Sequence, residues 1–86
     1  MSDSPATPWE QLAKALLTPM VGHPESVEIE AEEAAAGGWA IRAKVHPDDT
    51  GRVIGRGGST VSALRTLVEF AAVRQGTSAT FDIIDG

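Results

Sequence analysis

The sequence predicts a two-layer α+β domain of order αββααβ, with a three-stranded mixed sheet covered on one face by three helices. Two adjacent segments alternate apolar and polar residues with period two, and two longer segments carry apolar residues at helical spacing. A glycine-rich tetrapeptide separates a short helical pattern from the second long one. Eighty-six residues hold a single core. A chain of that length buries only about 60% of the surface it would expose unfolded, so self-association is worth expecting from the outset.

Residues 1–6 are polar and aperiodic and read as a frayed tail, which leaves 7–86 for the domain. Thr7, Pro8 and Glu10 make a helix start: a hydroxyl to cap an orphan amide, a proline for the first helical position, and an acid that closes a capping box. Trp9, Leu12, Leu16 and Met20 follow at helical spacing, with Ala13 and Leu17 widening the stripe. Pro19 lacks an N–H and crowds the preceding turn, so the helix ends or kinks near Thr18, and Gly22-His23-Pro24 completes the break.

Val27, Ile29 and Ala31 alternate with Glu28, Glu30 and Glu32; after a turn over 33–38, Trp39, Ile41, Ala43 and Val45 alternate with Ala40, Arg42 and Lys44. Paired as a hairpin, these strands set three glutamates near one arginine and one lysine on a solvated face, which explains much of the acidity without invoking function. His46-Pro47-Asp48-Asp49 opens a short helix carrying Val53 and Ile54, with both aspartates at the positive end of its dipole. Ser59 or Thr60 caps a third helix that runs to about Gln75 and stops at Gly76. Its core stripe is Val61, Leu64, Leu67, Val68, Ala71 and Ala72. A last strand over 79–84 turns Ala79, Phe81 and Ile83 to one face.

The formal charge is −5, unevenly spread: residues 1–36 set Lys14 against seven acids, whereas Arg42 to Arg65 holds five basic residues against two acidic ones. Global acidity disfavours loose charge-driven binding of nucleic acid but leaves room for one local basic site. Without cysteine there is no disulfide, thiolate metal site or thiol nucleophile. Met1 to Trp9 resembles no targeting peptide, and no stretch approaches the ~18 apolar residues of a membrane span, so a soluble, cytoplasmic protein is expected. Ser59 has no activating base beside it in sequence, and no carboxylate pair stands in an apolar setting, so neither catalysis nor a cofactor is expected. His23 and His46 each precede a proline at an element boundary, with no further ligand cluster nearby in sequence. They read as turn residues, and no metal site is expected.

Val53-Ile54-Gly55-Arg56-Gly57-Gly58-Ser59 carries the chemistry. An apolar pair ends one helix, glycines permit positive φ and close backbone approach, and a second helix begins. Such a turn points amides outward at a helix N-terminus, which favours phosphate. Arg56 lies in the turn and Arg52 one helical turn before it, where a phosphodiester backbone would pass. A Walker loop would need a lysine in place of the Gly58-Ser59-Thr60 sequence, and a dinucleotide fingerprint would need a longer parallel sheet.

Ile54-Gly55-Arg56-Gly57-Gly58 between two helices, after Val45-His46-Pro47-Asp48-Asp49, resembles a KH domain of type II topology. Over residues 8–85 the chain is similar to the small single-KH bacterial RNA-binding proteins of the KhpA type. Leu12-Ala13-Lys14, His23-Pro24-Glu25, the Gly51–Arg56 and Ala63–Val68 segments and the ending Asp82-Ile83-Ile84-Asp85 carry that likeness.

The resemblance implies single-stranded RNA as partner, clamped through its backbone by the GxxG loop, with bases in a groove between the helices and the sheet edge. The implied site is Arg52, Ile54, Gly55, Arg56, Gly57, Gly58 and Ser59, together with Arg65 unless that is an ordinary surface arginine. It also implies homodimers or pairing with a Jag-type (KhpB or EloR) KH protein. The implied role is RNA chaperoning or post-transcriptional regulation linked to cell elongation and division. Ser59 and Ser62 stand where family members often carry basic residues, which predicts micromolar binding. There is no tyrosine, and Phe70, Phe81 and the tryptophans are placed for packing, so no aromatic platform for bases is expected.

Thr66, Phe70 and Val73 point away from the core stripe of the third helix and are the candidate dimer face. Two functions therefore stay open: RNA binding through Gly55–Gly58, or a protein-interaction module in which RNA contact is weak.

Overall fold

In the computed structural model, which describes residues 8–84, the elements follow in the expected order. The 1–6 tail, the Thr7 cap and Asp85 lie outside the described residues. Helix α1 (Pro8–Leu17) buries Trp9, Ala13 and Leu17, one above the other at four-residue spacing. Leu12, Leu16 and Met20 pack half-buried along the margin, so the buried line is centred on Ala13 rather than on the leucines. A residue with no side chain beyond Cβ at the helix midpoint lets the backbone sit close against its neighbours. Pro19 acts as expected: the helix gives way to a 3₁₀ turn over Thr18–Met20, where the Thr18 hydroxyl donates to the Lys14 carbonyl at 2.6 Å.

Strands β1 (Glu28–Glu33) and β2 (Trp39–Lys44) pair antiparallel, with Glu30 opposite Arg42 and Glu28 opposite Lys44. The Arg42 guanidinium donates to Glu32 at 2.7 Å and to Glu30 at 3.4 Å, and those carboxylates, Glu32 foremost, raise its pKa further. Exposed pairs of this kind contribute little stability, and they account for the acidic row on structural grounds. Strand β3 (Ala79–Ile83) runs parallel to β2, Phe81 beside Ile41, giving a mixed sheet in the order β1-β2-β3.

Parallel neighbours require a crossover. Here it consists of α2 (Pro47–Ile54), a 3₁₀ turn over Arg56–Gly58, and α3 (Ser59–Arg74). The fold thereby places the glycine-rich turn in the middle of this crossover. Helix α3 ends as predicted: the Thr77 amide donates to Ala72 and that of Gly76 to Val73, closing the last turn on itself.

Phe81, Leu17, Ile41, Val53 and Val68 are the largest fully buried side chains, each contributing about 1.5–3 kcal/mol by leaving water. The core stripe of α3 is Leu64, Val68 and Ala72, with Val61 and Ala71 half-buried. Leu67 does not belong to it: at 50% exposure it sits on the outer side of the helix. It lies some 100° from Val68, and only one of two adjacent positions can face the sheet squarely.

Asp49 departs from its expected role. It is not a solvated charge at a helix start but a buried carboxylate, 2% exposed, that accepts the Gly22 amide at 2.9 Å and the His23 amide at 3.0 Å. It thus fastens the segment ahead of β1 to α2. The Gly22 amide lowers its pKa below the ordinary value against the effect of burial, with the His23 amide assisting. Asp49→Asn should lower Tm by on the order of 10 °C at neutral pH, since one amide loses its acceptor. Because the folded pKa is depressed, the stabilisation is complete above the unfolded value of about 3.9 and is lost as pH falls through the folded one. Melting curves should therefore show the two proteins converging in acid; a constant Tm gap down to the acid limit would exclude the carboxylate as the cause.

Candidate nucleic-acid interface

Helix α2 delivers the site. Its N-cap is the His46 imidazole, whose Nδ1 accepts the Asp48 amide at 3.0 Å. At its other end Val53 is fully buried and Ile54 half-buried, so the helix is anchored immediately before the chain turns. Gly55 follows at φ 79°, ψ 170°, a region essentially confined to glycine, and its amide still reaches back to the Gly51 carbonyl at 2.8 Å. A Cβ on Gly55 would come within 2.7 Å of the Thr60 backbone nitrogen and also collide with the Thr60 side chain. Gly57 (φ 62°, ψ 19°) and Gly58 (φ 79°, ψ 14°) are both left-handed.

The turn is held by the Gly58 amide donating to the Gly55 carbonyl at 3.1 Å and that of Ser59 to Arg56. The amides of Arg56 and Gly57 have no backbone acceptor among the described residues. No atom lies within 4 Å of where a Cβ on Gly57 would stand, so the tip of the turn is open. Left-handed residues in succession with free amides form a concavity suited to an anion at the start of a helix.

Neither Ser59 nor Thr60 caps α3. Gly58 occupies the N-cap position without a side-chain bond, and Ser59 is already helical at φ −65°, ψ −39°. The glycine turn feeds the helix through backbone geometry alone, so no hydroxyl is positioned to cap it. Arg56 and Arg52 are exposed, and neither forms an ion pair within 4 Å among the described residues; Arg52 donates at 3.4 Å to the Met20 carbonyl. Arg65 is held elsewhere, donating to the Phe81 carbonyl at 3.1 Å and to Asp82 at 3.2 Å on β3.

On the outer side of α3, Leu67, Phe70 (60% exposed) and Val73 (71% exposed) form an apolar strip with exposed Thr66 beside it. Phe70 is therefore not packed into this chain's core, contrary to the expectation for the aromatic residues; its ring carries the Arg74 guanidinium at 5.9 Å. Phe81 and the tryptophans do pack, Trp9 against Trp39 at 6.4 Å.

The two histidines are not independent turn residues. Their rings stack at 3.8 Å, and Asp48 lies beside both. The sequence signal for this was the repeated tripeptide of histidine, proline and acid at 23–25 and 46–48, which spacing along the chain does not connect.

A profile of the KhpA/KhpB KH domain matches residues 10–83. The RNA-binding protein KhpA of Bacillus subtilis is 40% identical over 76 residues, spanning 88% of this chain and 93% of the relative. That of Leifsonia xyli subsp. xyli is 41% identical over 66 residues, spanning 77% and 83%. Among solved structures, Aquifex aeolicus Era bound to GDP·AlF4− superposes with a TM-score of 0.59 at 10% identity, over 99% of this chain and 36% of the Era chain. Era in complex with MgGDPNP and a stretch of 16S ribosomal RNA superposes equally well. At that identity the likeness concerns the fold alone.

Proposed function

The chain belongs to the KhpA/KhpB family of KH domains, which is not an enzyme family, and from that premise we propose that it binds single-stranded RNA by its phosphate backbone at the Gly55–Gly58 turn. The observation that carries this is the open turn itself: two amides without backbone acceptors, flanked by two exposed guanidinium groups that form no ion pair within 4 Å, all among the described residues. In this reading Arg56 and Arg52 receive phosphate oxygens, the Arg56 and Gly57 amides complete the cradle, and Gly58 and Ser59 carry it into the dipole of α3. Ile54 supplies an apolar floor beside it. Arg65 stays outside the contact set because β3 already holds its guanidinium. RNA chaperoning or post-transcriptional regulation in cell elongation and division is the role the resemblance implies.

Two arginines and no aromatic platform make for modest affinity. Fluorescence anisotropy with a short unstructured RNA at physiological salt should give a micromolar Kd, with a log–log salt slope near about −1.4 for two phosphates neutralised. Nanomolar affinity, or none, would overturn the proposal.

A second reading is favoured by the apolar strip on α3. Leu67, Phe70 and Val73 on a small domain suit a cover by a second KH chain, either another copy or a Jag-type partner. Phe70→Glu should then convert a dimer to a monomer in sedimentation velocity. An unchanged profile would remove Phe70 from any such interface.

A further inference from the structure

We propose that His23, His46 and Asp48 form a binding site for a divalent transition-metal cation of the zinc type, distinct from the glycine-rich turn. The fold brings two tripeptides of the same kind together: His23-Pro24-Glu25 ahead of β1 and His46-Pro47-Asp48 at the start of α2. His23 Nε2 lies 3.6 Å from Asp48 Oδ2, and His46 Nδ1 lies 3.7 Å from the same oxygen. One ligand atom from each residue falls within 4.8 Å of the other two. Tetrahedral zinc, with bonds of about 2.0–2.2 Å, sets its ligand atoms roughly 3.3 Å apart. Two of the three separations are thus close to the required value, and because the imidazoles stack at 3.8 Å with planes 19° apart, a half-buried ring must turn for both lone pairs to meet on one cation.

One hydrogen bond fixes the tautomer of the His46 ring, and a nearby carboxylate biases that of His23. Glu25 stands 3.6 Å from His23 Nδ1 and favours the proton there, which leaves the Nε2 lone pair facing Asp48. His46 Nδ1 accepts the Asp48 amide, so in the neutral ring its proton is on Nε2, and the single Nδ1 lone pair reaches a cation only when that bond is given up. Two imidazoles and a carboxylate offer a cation three donor atoms of the kinds zinc takes. The metal would replace the Asp48 amide as the partner of His46 Nδ1.

The frame is stiff. A proline follows each histidine, and the buried Asp49 carboxylate holds the His23 backbone. Two nitrogens and one oxygen select zinc, cobalt, nickel or copper over magnesium and calcium, and the fourth position is left for water. A cation here would clip the segment before β1 to the first turn of α2, the helix that leads into the glycine turn.

The test uses the full chain. Zinc by calorimetry and cobalt by visible absorption should each bind at one cation per chain, cobalt with the intense bands of four-coordination and without competition from magnesium. His23→Gln and His46→Asn should each abolish saturable binding. Asn keeps an acceptor for the α2 cap, so that variant should retain the parent circular dichroism. Glu25→Gln should weaken binding about tenfold or more. In the unmodified protein, the imidazole nitrogens His23 Nε2 and His46 Nδ1 should shift and saturate at one equivalent of zinc, which tests the site without any variant. No saturable binding at millimolar zinc, one cation shared between two chains, or binding that survives His46→Asn would each overturn the proposal.

Discussion

Replacing Arg56 and Gly57 together with aspartate is expected to weaken RNA binding at least a hundredfold while Tm moves by only a few degrees. The small change in stability follows from where the two residues lie. Arg56 is exposed and in no ion pair among the described residues, and Gly57 adopts left-handed angles that aspartate tolerates better than most side chains. Nothing lies within 4 Å of the new Cβ. The loss of binding follows from charge: two carboxylates replace one guanidinium and one bare backbone position where phosphate oxygens would sit. Like charges about 4 Å apart repel by roughly 4 kcal/mol at an effective dielectric of 20. A hundredfold loss requires only about 2.8 kcal/mol, so the two carboxylates together suffice even if each repulsion is screened by half. Anisotropy on the purified variant and crosslinking in cells measure the effect, with sedimentation velocity as the control for the α3 face. Crosslinking that persists at the parent level would place RNA elsewhere on the molecule.

Features decided by neighbours along the chain are legible in the sequence. Pro19 ends α1, alternation defines β1 and β2, and Gly76 stops α3, because each depends on one residue's geometry or on a period. The glycine turn was legible for the same reason. Features decided across the fold were not.

Asp49 looked like a charge at a helix end, and only the approach of the Gly22 and His23 amides, 26–27 residues away, turns it into a buried fastening. The stack of His23 on His46 likewise requires the two segments to meet. Leu67 reads as inward from sequence because a stripe on a helical wheel has no sharp edge, whereas the sheet covers only the line of Leu64, Val68 and Ala72. Residue type points to Ser59 or Thr60 as a cap, whereas successive left-handed glycines already steer the backbone into α3. At the site itself, Arg52 and Arg56 flank the turn without an ion pair among the described residues, while Arg65 is diverted by Asp82, a partner that only the return of β3 supplies.

The glycines of the turn are not equivalent, and Gly55→Ala should separate their roles. Its added methyl group meets two costs at once. Its φ and ψ lie where residues other than glycine pay about 1–3 kcal/mol. The methyl also presses on the Thr60 backbone nitrogen, in the first turn of α3, so the clash cannot be relieved by rotating a side chain. Moving Thr60 would drag Leu64 and Val68, one and two turns further on, out of the core. Overpacking of this kind adds about 1–3 kcal/mol, and the combined loss should lower Tm by roughly 20 °C in a domain of this size. Gly57→Ala meets no neighbouring atom and pays only for its left-handed angles, so its Tm should fall by less than half as much.

The two kinds of damage differ in how they affect RNA. Gly55→Ala should lose binding in proportion to the unfolded fraction and regain it on cooling or with a stabilising osmolyte, because the cradle itself is unaltered in the molecules that fold. The Arg56 and Gly57 aspartate pair should stay inactive under the same conditions. If Gly55→Ala instead melts within a few degrees of the parent, the bend opens at little cost, and a preformed rigid cradle is not what holds the phosphates.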